Sequence, residues 1–112
     1  MHLNPKILFI GTCYMYPEPT LDATIFTIYC KQNCLYCKKV KKILQEHSLP
    51  FVEIMCDLFL AENKEAFLKH MRDLAGVQVR TFPMVFHQGM FIGGFEDTQE
   101  YLHNIIQQYE TR

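Results

Sequence analysis

The stretch from Thr24 to Cys37, TIFTIYCKQNCLYC, decides the fold. Its first half, Thr24–Tyr29, is β-branched and aromatic, a composition that favours a buried strand. From Cys37 onward the apolar residues recur at the spacing of one helical face, so a helix begins between Cys34 and Cys37. The pattern predicts a strand that leads through two closely spaced cysteines into a helix.

This arrangement places the Cys34 sulfur at a helix N-terminus. Unpaired backbone N–H groups and the helix dipole stabilise a thiolate there, and Lys31 lies close in sequence. We therefore predict that the pKa of Cys34 lies below the ordinary thiol value of about 8.5. Cys34 would then attack a disulfide as a thiolate, and Cys37, one turn later, would resolve the mixed disulfide.

Outward from this unit, the pattern predicts an α/β chain with the order βαβαββα. Residues 1–22 fall outside that order, although Lys6–Ile10 can add a strand. The remaining predicted elements are a strand over 51–55, a helix with Asn63 as N-cap and Gly76 as stop, a hairpin of 83–86 and 90–92 around 87–89, and a last helix capped by Asp97 with Glu100 completing a capping box.

Length and composition restrict the functional class. The 112 residues fit one domain, and a net charge of −1 argues against a nucleic-acid partner. The early apolar run Ile7–Ile10 is too short for a signal peptide or a membrane span. We therefore expect a cytoplasmic protein without a membrane partner. The odd count of five cysteines leaves at least one free thiol, and close spacing of cysteines in a reducing compartment indicates redox chemistry or metal binding.

A second pattern overlaps the first. Cys30, Cys34 and Cys37 form C-x-x-x-C-x-x-C with Tyr36, which resembles the cluster loop of radical S-adenosylmethionine enzymes, but the chain is too short for their barrel. A zinc site formed by the three cysteines and His47 does not have the ligand spacing that is typical of zinc sites. We expect no metal and interpret Cys30 as a buried strand-end residue. A regulatory partnership of Cys30 with Cys34 stays open.

Three separated motifs over about residues 22–110 resemble the glutaredoxin family. They are Lys31–Cys37 (KQNCLYC), similar to Lys-x-x-Cys-Pro-Tyr-Cys; Arg80–Pro83 (RTFP), similar to Thr-Val-Pro; and Gly93–Asp97 (GGFED), similar to Gly-Gly-x-Asp-Asp. The resemblance implies a thioredoxin-like three-layer α/β/α sandwich with a central four-stranded mixed sheet. Residues 1–22 would be an N-terminal extension, and 23–112 the glutaredoxin domain.

The resemblance also implies an activity and a site. The activity is glutathione-dependent reduction of protein disulfides and of glutathione mixed disulfides, by a monomer. Cys34 and Cys37 would be catalytic, and the bond before Pro83 would be cis. The residues implied to bind glutathione are Lys31, Tyr36, Phe82, Pro83, Gly94, Phe95, Glu96 and Asp97.

The chain departs from the family pattern at several positions. Leu35 replaces the usual proline, and only Arg72 and Gln78 are candidates for a glutathione ligand near the second helix. The absence of Trp argues against thioredoxin proper, and Cys37 excludes the single-cysteine class. Two alternatives stay open: an iron–sulfur or redox-sensing module related to glutaredoxins, and a thioredoxin-like reductase that does not use glutathione.

Overall fold

The structure, a computed structural model, describes residues 9–10, 13–14 and 16–110. A short strand, β1 (Phe9–Ile10), pairs antiparallel with β2 (Cys13–Tyr14). Residues 6–8 of the predicted first strand lie outside the described residues. The remainder of that strand is half of a hairpin whose second strand had no clear sequence signal.

Four further strands form the main sheet, in the order β4-β3-β5-β6. The central strand β3 is parallel to β4 and antiparallel to β5, which in turn is antiparallel to β6. This result confirms the predicted four-stranded mixed sheet. The strands are β3 (Phe26–Cys30), β4 (Phe51–Met55), β5 (Met84–His87) and β6 (Met90–Gly93), and the helices are α1 (Leu35–Glu46), α2 (Asp57–Ala75) and α3 (Phe95–Glu110).

The helices cover both faces of this sheet. Val40 and Leu44 of α1 and Leu102 of α3 pack in one buried cluster with Ile28 of β3. On the opposite face, Phe67 of α2 packs in a second cluster with residues of β3 and β5. The two clusters form the predicted three-layer sandwich, and β3 is buried along its whole length because both layers cover it. No helix in the described part of the chain has both the length and the apolar character to cross a bilayer.

The second helix is longer than predicted. It begins at Asp57, and Asn63, the predicted N-cap, lies at a kink with non-helical φ and ψ of −159° and 87°. The Asn63 side chain accepts a hydrogen bond from the Ala66 N–H at 3.1 Å, so it does cap the segment that follows. Gly76 ends the helix with a left-handed φ of 81°, as predicted.

The start of the third helix corrects a second prediction. The helix begins at Phe95, so Asp97 lies in its first turn and is not the N-cap. Gly93, just before the helix, has a φ of 134°, and a Cβ there would collide with the Asp97 carboxylate. Asp97 therefore folds back against the Gly93–Gly94 turn, which requires glycine at position 93.

The segment before β3 packs onto the domain. The Tyr16 ring contacts Phe59 and Phe67 edge to face, with ring centroids 5.2 Å apart in each pair. The Tyr29 hydroxyl donates a hydrogen bond to the Pro17 carbonyl at 2.7 Å. Tyr16 and Pro17 thus contact the α2 face of the core. The domain boundary at residue 22 remains a prediction.

Candidate active site

Cys34 lies at the point where the loop after β3 becomes α1. Asn33 turns the chain with a left-handed φ of 58°, and Cys34 is the N-cap of the helix. Its sulfur accepts a hydrogen bond from the Cys37 N–H at 3.2 Å, as an Asp or Ser oxygen does at other helix starts. Cys34 is 8% exposed and Cys37 is 2% exposed, so Cys34 is the more accessible sulfur, as predicted.

The loop before β5 faces this sulfur. The Phe82–Pro83 peptide bond is cis, as predicted, and the Cys34 thiol donates to the Phe82 carbonyl at 3.7 Å. The Lys31 ammonium lies over the Phe82 ring, 5.6 Å from its centroid. Two of the three sequence motifs therefore meet at Cys34, although about 50 residues separate them in the chain.

Cys34 and Cys37 each change the pKa of the other. The pKa of Cys37 is lowered to about 6, chiefly by the neighbouring Cys30 thiol and then by the Cys34 thiol. Burial and the neighbouring Cys37 thiol raise the pKa of Cys34. The sequence prediction that the pKa of Cys34 lies below the ordinary thiol value is therefore wrong, because the pattern does not show how far the sulfur is buried.

The dithiol still loses its first proton easily, and the resulting charge can move between the two sulfurs. If the remaining proton passes to Cys37, the Cys34 thiolate keeps the hydrogen bond from the Cys37 N–H and the attraction of Lys31. Both of these interactions act to lower the pKa of Cys34. Since Cys34 is the more exposed sulfur, this form of the pair is the one able to attack an external disulfide.

A groove of about 460 Å³ connects the second and third motifs. It contains every residue predicted to bind glutathione except Lys31, together with Thr81, which was not predicted. Its lining residues are Tyr36, Thr81, Phe82, Pro83, Gly94, Phe95, Glu96 and Asp97. The structure thus brings three separate motifs to the walls of one groove.

The aromatic rings of Tyr36 and Phe95 form one wall of this groove. Their centroids are 5.8 Å apart, and the Lys39 ammonium lies 5.0 Å from the Tyr36 ring centroid. Tyr36 remains half-exposed, so its ring is available to a ligand. Lys39 is thereby held beside the groove.

A smaller cavity of about 250 Å³ lies on the other side of the cysteines. Lys31 lines this cavity with Cys34 and Cys37, whereas the other predicted glutathione residues do not. Lys41 also lines it and forms an ion pair with Glu53 at 2.6 Å. Lys31 therefore lines the smaller cavity and also lies over the ring of Phe82, which lines the 460 Å³ groove.

Arg72 and Gln78 lie elsewhere. They line a third cavity, of about 320 Å³, with Arg80 and Glu65, and share no lining residue with the 460 Å³ groove. Arg80 makes a two-pronged ion pair with Glu65, with one N–O distance of 2.9 Å. The structure therefore does not bring Arg72 or Gln78 to the groove. Within the described residues, no three His, Cys, Asp or Glu side chains are grouped as metal ligands would be.

Comparison with known proteins gives the family. The glutaredoxin family model matches residues 26–92, which include β3, the two cysteines, the Phe82–Pro83 loop and the β5–β6 hairpin. The chain belongs to the glutaredoxin family.

Individual glutaredoxins resemble the chain over most of its length. Mitochondrial glutaredoxin-2 of Rattus norvegicus is 30% identical over 81 residues, which are 72% of this chain and 49% of the rat protein. Glutaredoxin 1 of Rickettsia typhi is 36% identical over 70 residues, which are 62% of each chain. The chain thus spans about half to under two thirds of the length of these two relatives.

Solved glutaredoxin structures share the fold. Glutaredoxin 1 from Francisella tularensis, complexed with cacodylate, superposes with a TM-score of 0.65 at 24% identity, over 74% of this chain and 96% of that one. A buckwheat glutaredoxin–glutathione complex superposes with a TM-score of 0.60 at 25% identity, over 75% of this chain and 73% of that one. These matches agree with the thioredoxin-like sandwich described above.

Proposed function

We propose that this protein is a glutathione-dependent thiol–disulfide oxidoreductase that reduces protein disulfides and glutathione mixed disulfides. The observation that carries the proposal is the position of Cys34. Cys34 is the N-cap of α1, and its sulfur faces the carbonyl of Phe82. Phe82 in turn lines the 460 Å³ groove. The family membership supports the reaction type, and the solved complex of a buckwheat glutaredoxin with glutathione supports the co-substrate.

The groove suits a small peptide with a carboxylate at each end. Its volume lies within the range of about 300–1,000 Å³ that is typical of ligand pockets. The backbone of Phe82 offers a strand-like edge to the peptide, and the N–H groups at the start of α3 can bind its γ-glutamyl carboxylate. In this proposal Lys31 pairs with the glycyl carboxylate at the opposite end. Tyr36 and Phe95 cover the apolar part of the ligand.

The first chemical step is attack by the Cys34 thiolate on a disulfide. With a glutathionylated protein, a Cys34–glutathione bond forms, the substrate disulfide breaks, and the protein thiolate leaves. A second glutathione thiolate then attacks the glutathionyl sulfur. Oxidised glutathione leaves and the Cys34 thiolate is restored, so two electrons pass from two glutathiones to the substrate.

A protein disulfide requires Cys37 as well. The thiolate that leaves in the first step takes up the Cys37 proton, and the Cys37 thiolate then attacks the Cys34 sulfur. A Cys34–Cys37 disulfide forms and the second substrate thiolate leaves. Two glutathiones reduce this disulfide in turn. In this proposal the protein acts as a cytoplasmic monomer, and its partners are glutathione and proteins with disulfides or attached glutathione.

Glutathione-dependent turnover of a cysteine–glutathione mixed disulfide, coupled to glutathione reductase and NADPH, tests the proposal. We expect turnover in the wild type and a loss of about 10³-fold or more in Cys34→Ser. Cys56→Ser is the matched control, because it removes a buried thiol that lines neither cavity beside Cys34. Absence of turnover in a folded, reduced wild type would contradict the use of glutathione and would favour the thioredoxin-like or iron–sulfur alternative.

A further inference from the structure

One wall of the 460 Å³ groove is built from two helices. Tyr36 lies in the first turn of α1, and Phe95 is the first residue of α3. Their ring centroids are 5.8 Å apart, with an angle of 37° between the ring planes, and both residues line the groove. The shape of this wall therefore depends on a contact between side chains from two distant parts of the chain.

The Tyr36 ring is only partly packed. It is 50% exposed, because it projects from the start of α1 beside Cys34. A half-exposed side chain can exchange between rotamers, and a ligand that packs against it loses affinity in fixing one of them. A contact that holds the ring in place before the ligand binds removes part of this cost.

Lys39 supplies such a contact. It follows Tyr36 by three positions on α1, and residues with this spacing are neighbours on the helix surface. Its ammonium lies 5.0 Å from the centroid of the Tyr36 ring and 5.8 Å from that of the Phe95 ring. A cation within about 6 Å of a ring centroid is attracted to the face of the ring. One charge thus contacts both rings of the wall and joins α1 to α3.

The Lys39 ammonium is not committed to a carboxylate. Among the residues that the structure describes, Lys39 forms no ion pair, whereas Lys41 of the same helix is paired with Glu53 at 2.6 Å. Lys39 is also not one of the residues that line the groove. It therefore acts on a ligand through the two rings, and it does not occupy the space that the ligand needs.

We propose that Lys39 is a positioning residue that holds Tyr36 against Phe95 and so fixes the wall of the groove that recognises the glutathionyl group. This inference rests on the proposed function. Because the contact exists before the ligand binds, it raises the affinity of the groove without touching the ligand. Its removal weakens the binding of the glutathionyl group and leaves the reactivity of the Cys34 sulfur unchanged.

Glutathionylation of Cys34 at equilibrium tests the inference. In a Cys37→Ser background, the Cys34 thiolate and oxidised glutathione exchange to give the Cys34–glutathione disulfide and a glutathione thiolate. Contacts in the groove stabilise the mixed disulfide and raise the equilibrium constant, which mass spectrometry measures at set ratios of oxidised to reduced glutathione. We expect Lys39→Met to lower this constant about threefold, as for an exposed cation–π contact. Lys39→Arg should retain most of it, since a guanidinium binds the same ring faces.

Two controls separate positioning from a general charge effect. Lys42→Met makes the same change at an exposed position of α1 that lines neither cavity beside Cys34, and it should leave the constant unchanged. The rate of Cys34 alkylation by iodoacetamide, which does not use the groove, should stay within about 1.5-fold in Lys39→Met. A parallel fall of the alkylation rate and the equilibrium constant would show that Lys39 acts on the thiolate and would overturn the inference.

A double-mutant cycle shows whether Lys39 acts through the Tyr36 ring. In Tyr36→Leu, which lacks the ring, Lys39→Met should change the constant by less than about 1.5-fold. An undiminished effect would mean that Lys39 contacts the ligand directly, and the positioning role would be wrong.

The proposed function fails in a different way. If the protein with Lys39 intact gives the same constant with oxidised glutathione as with bis(2-hydroxyethyl) disulfide, which has no peptide, the groove does not recognise glutathione and this inference fails with it. A protein that prefers oxidised glutathione, and whose preference Lys39→Met leaves unchanged, overturns the inference alone.

Discussion

Two helices of this protein begin with a cysteine, and the two cysteines have opposite properties. Cys34 is the N-cap of α1, and Cys56 is the N-cap of α2. Each follows a strand of the same sheet, β3 or β4, that leads into its helix. The Cys34 sulfur accepts a backbone N–H and faces the site, whereas the Cys56 sulfur makes no capping bond and donates to the Ile54 carbonyl at 3.4 Å.

The charged neighbours of the two sulfurs also favour ionisation of Cys34 over ionisation of Cys56. Lys31 lies near Cys34, whereas Asp57 directly follows Cys56 and opposes its ionisation. Burial with an acidic neighbour raises the pKa of Cys56 to about 12, whereas neighbouring thiols lower the pKa of Cys37, the partner of Cys34, to about 6. A helix N-terminus alone therefore does not make a reactive thiol. A capping geometry, access to solvent and a proton-sharing partner are also required.

Selective alkylation gives the largest contrast between the two cysteines. At pH 7 we expect iodoacetamide to modify Cys34 at least about 10³-fold faster than Cys56, because almost none of the buried Cys56 is ionised. Peptide mass spectrometry of the folded protein over time measures both rates. The same experiment in denaturant is the control, since there the two rates should converge. Comparable rates in the folded protein would show that Cys34 is no more reactive than Cys56.

The pH dependence of alkylation sharpens the comparison at the active pair. The thiolate is present above its pKa and lost below it, so the rate should rise with pH. With the pKa of Cys37 lowered to about 6 and its charge shared with Cys34, we expect a rise of about tenfold between pH 5 and pH 7 and little beyond. Stopped-flow alkylation of the wild type measures this profile. A continued rise toward pH 9 would contradict a shared, easily lost proton.

Reversal of the charge at Lys31 makes the surroundings of Cys34 more like those of Cys56. We expect Lys31→Glu to lower the alkylation rate of Cys34 at pH 6 by about threefold, because an acidic neighbour opposes ionisation. Lys42→Glu is the matched control, as it makes the same charge change at an exposed position on α1 that lines neither cavity beside Cys34. Equal effects of the two variants would indicate a general charge effect on the site.

The smallest effect is expected at Asp57, which links the two helix starts. Its carboxylate accepts the Gln32 N–H at 3.2 Å, next to Lys31 in the loop that leads to Cys34. Asp57→Asn should lower the free energy of unfolding by about 0.5 kcal/mol, since a charged acceptor is replaced by a neutral one. Urea denaturation measures this change, with the exposed Asp73→Asn as control. Cys56 should remain unreactive, because its burial is unchanged.

The sequence predicted most of the elements, and the errors have local physical causes. The central strand, the helix at Cys34–Cys37 and the Gly76 stop were predicted correctly, because periodicity and capping residues encode them locally. The first six residues of α2 were missed, because Cys56 and Asp57 do not form a standard capping pattern and a kink at Asn63 interrupts the helix. The N-cap assignment of Asp97 was wrong because Gly93 and Gly94 let the chain turn three residues earlier.

The sequence by itself determined the order of the elements, the place of Cys34 at a helix start and the three motifs of the family. Only the tertiary structure decided which of these residues meet. It brought Thr81 to the groove, left Arg72 and Gln78 in another cavity and packed Cys30 in the same buried cluster as Cys34 and Cys37. The reason is that backbone and periodic preferences act between near neighbours, whereas burial and hydrogen bonding depend on distances that only the folded chain sets.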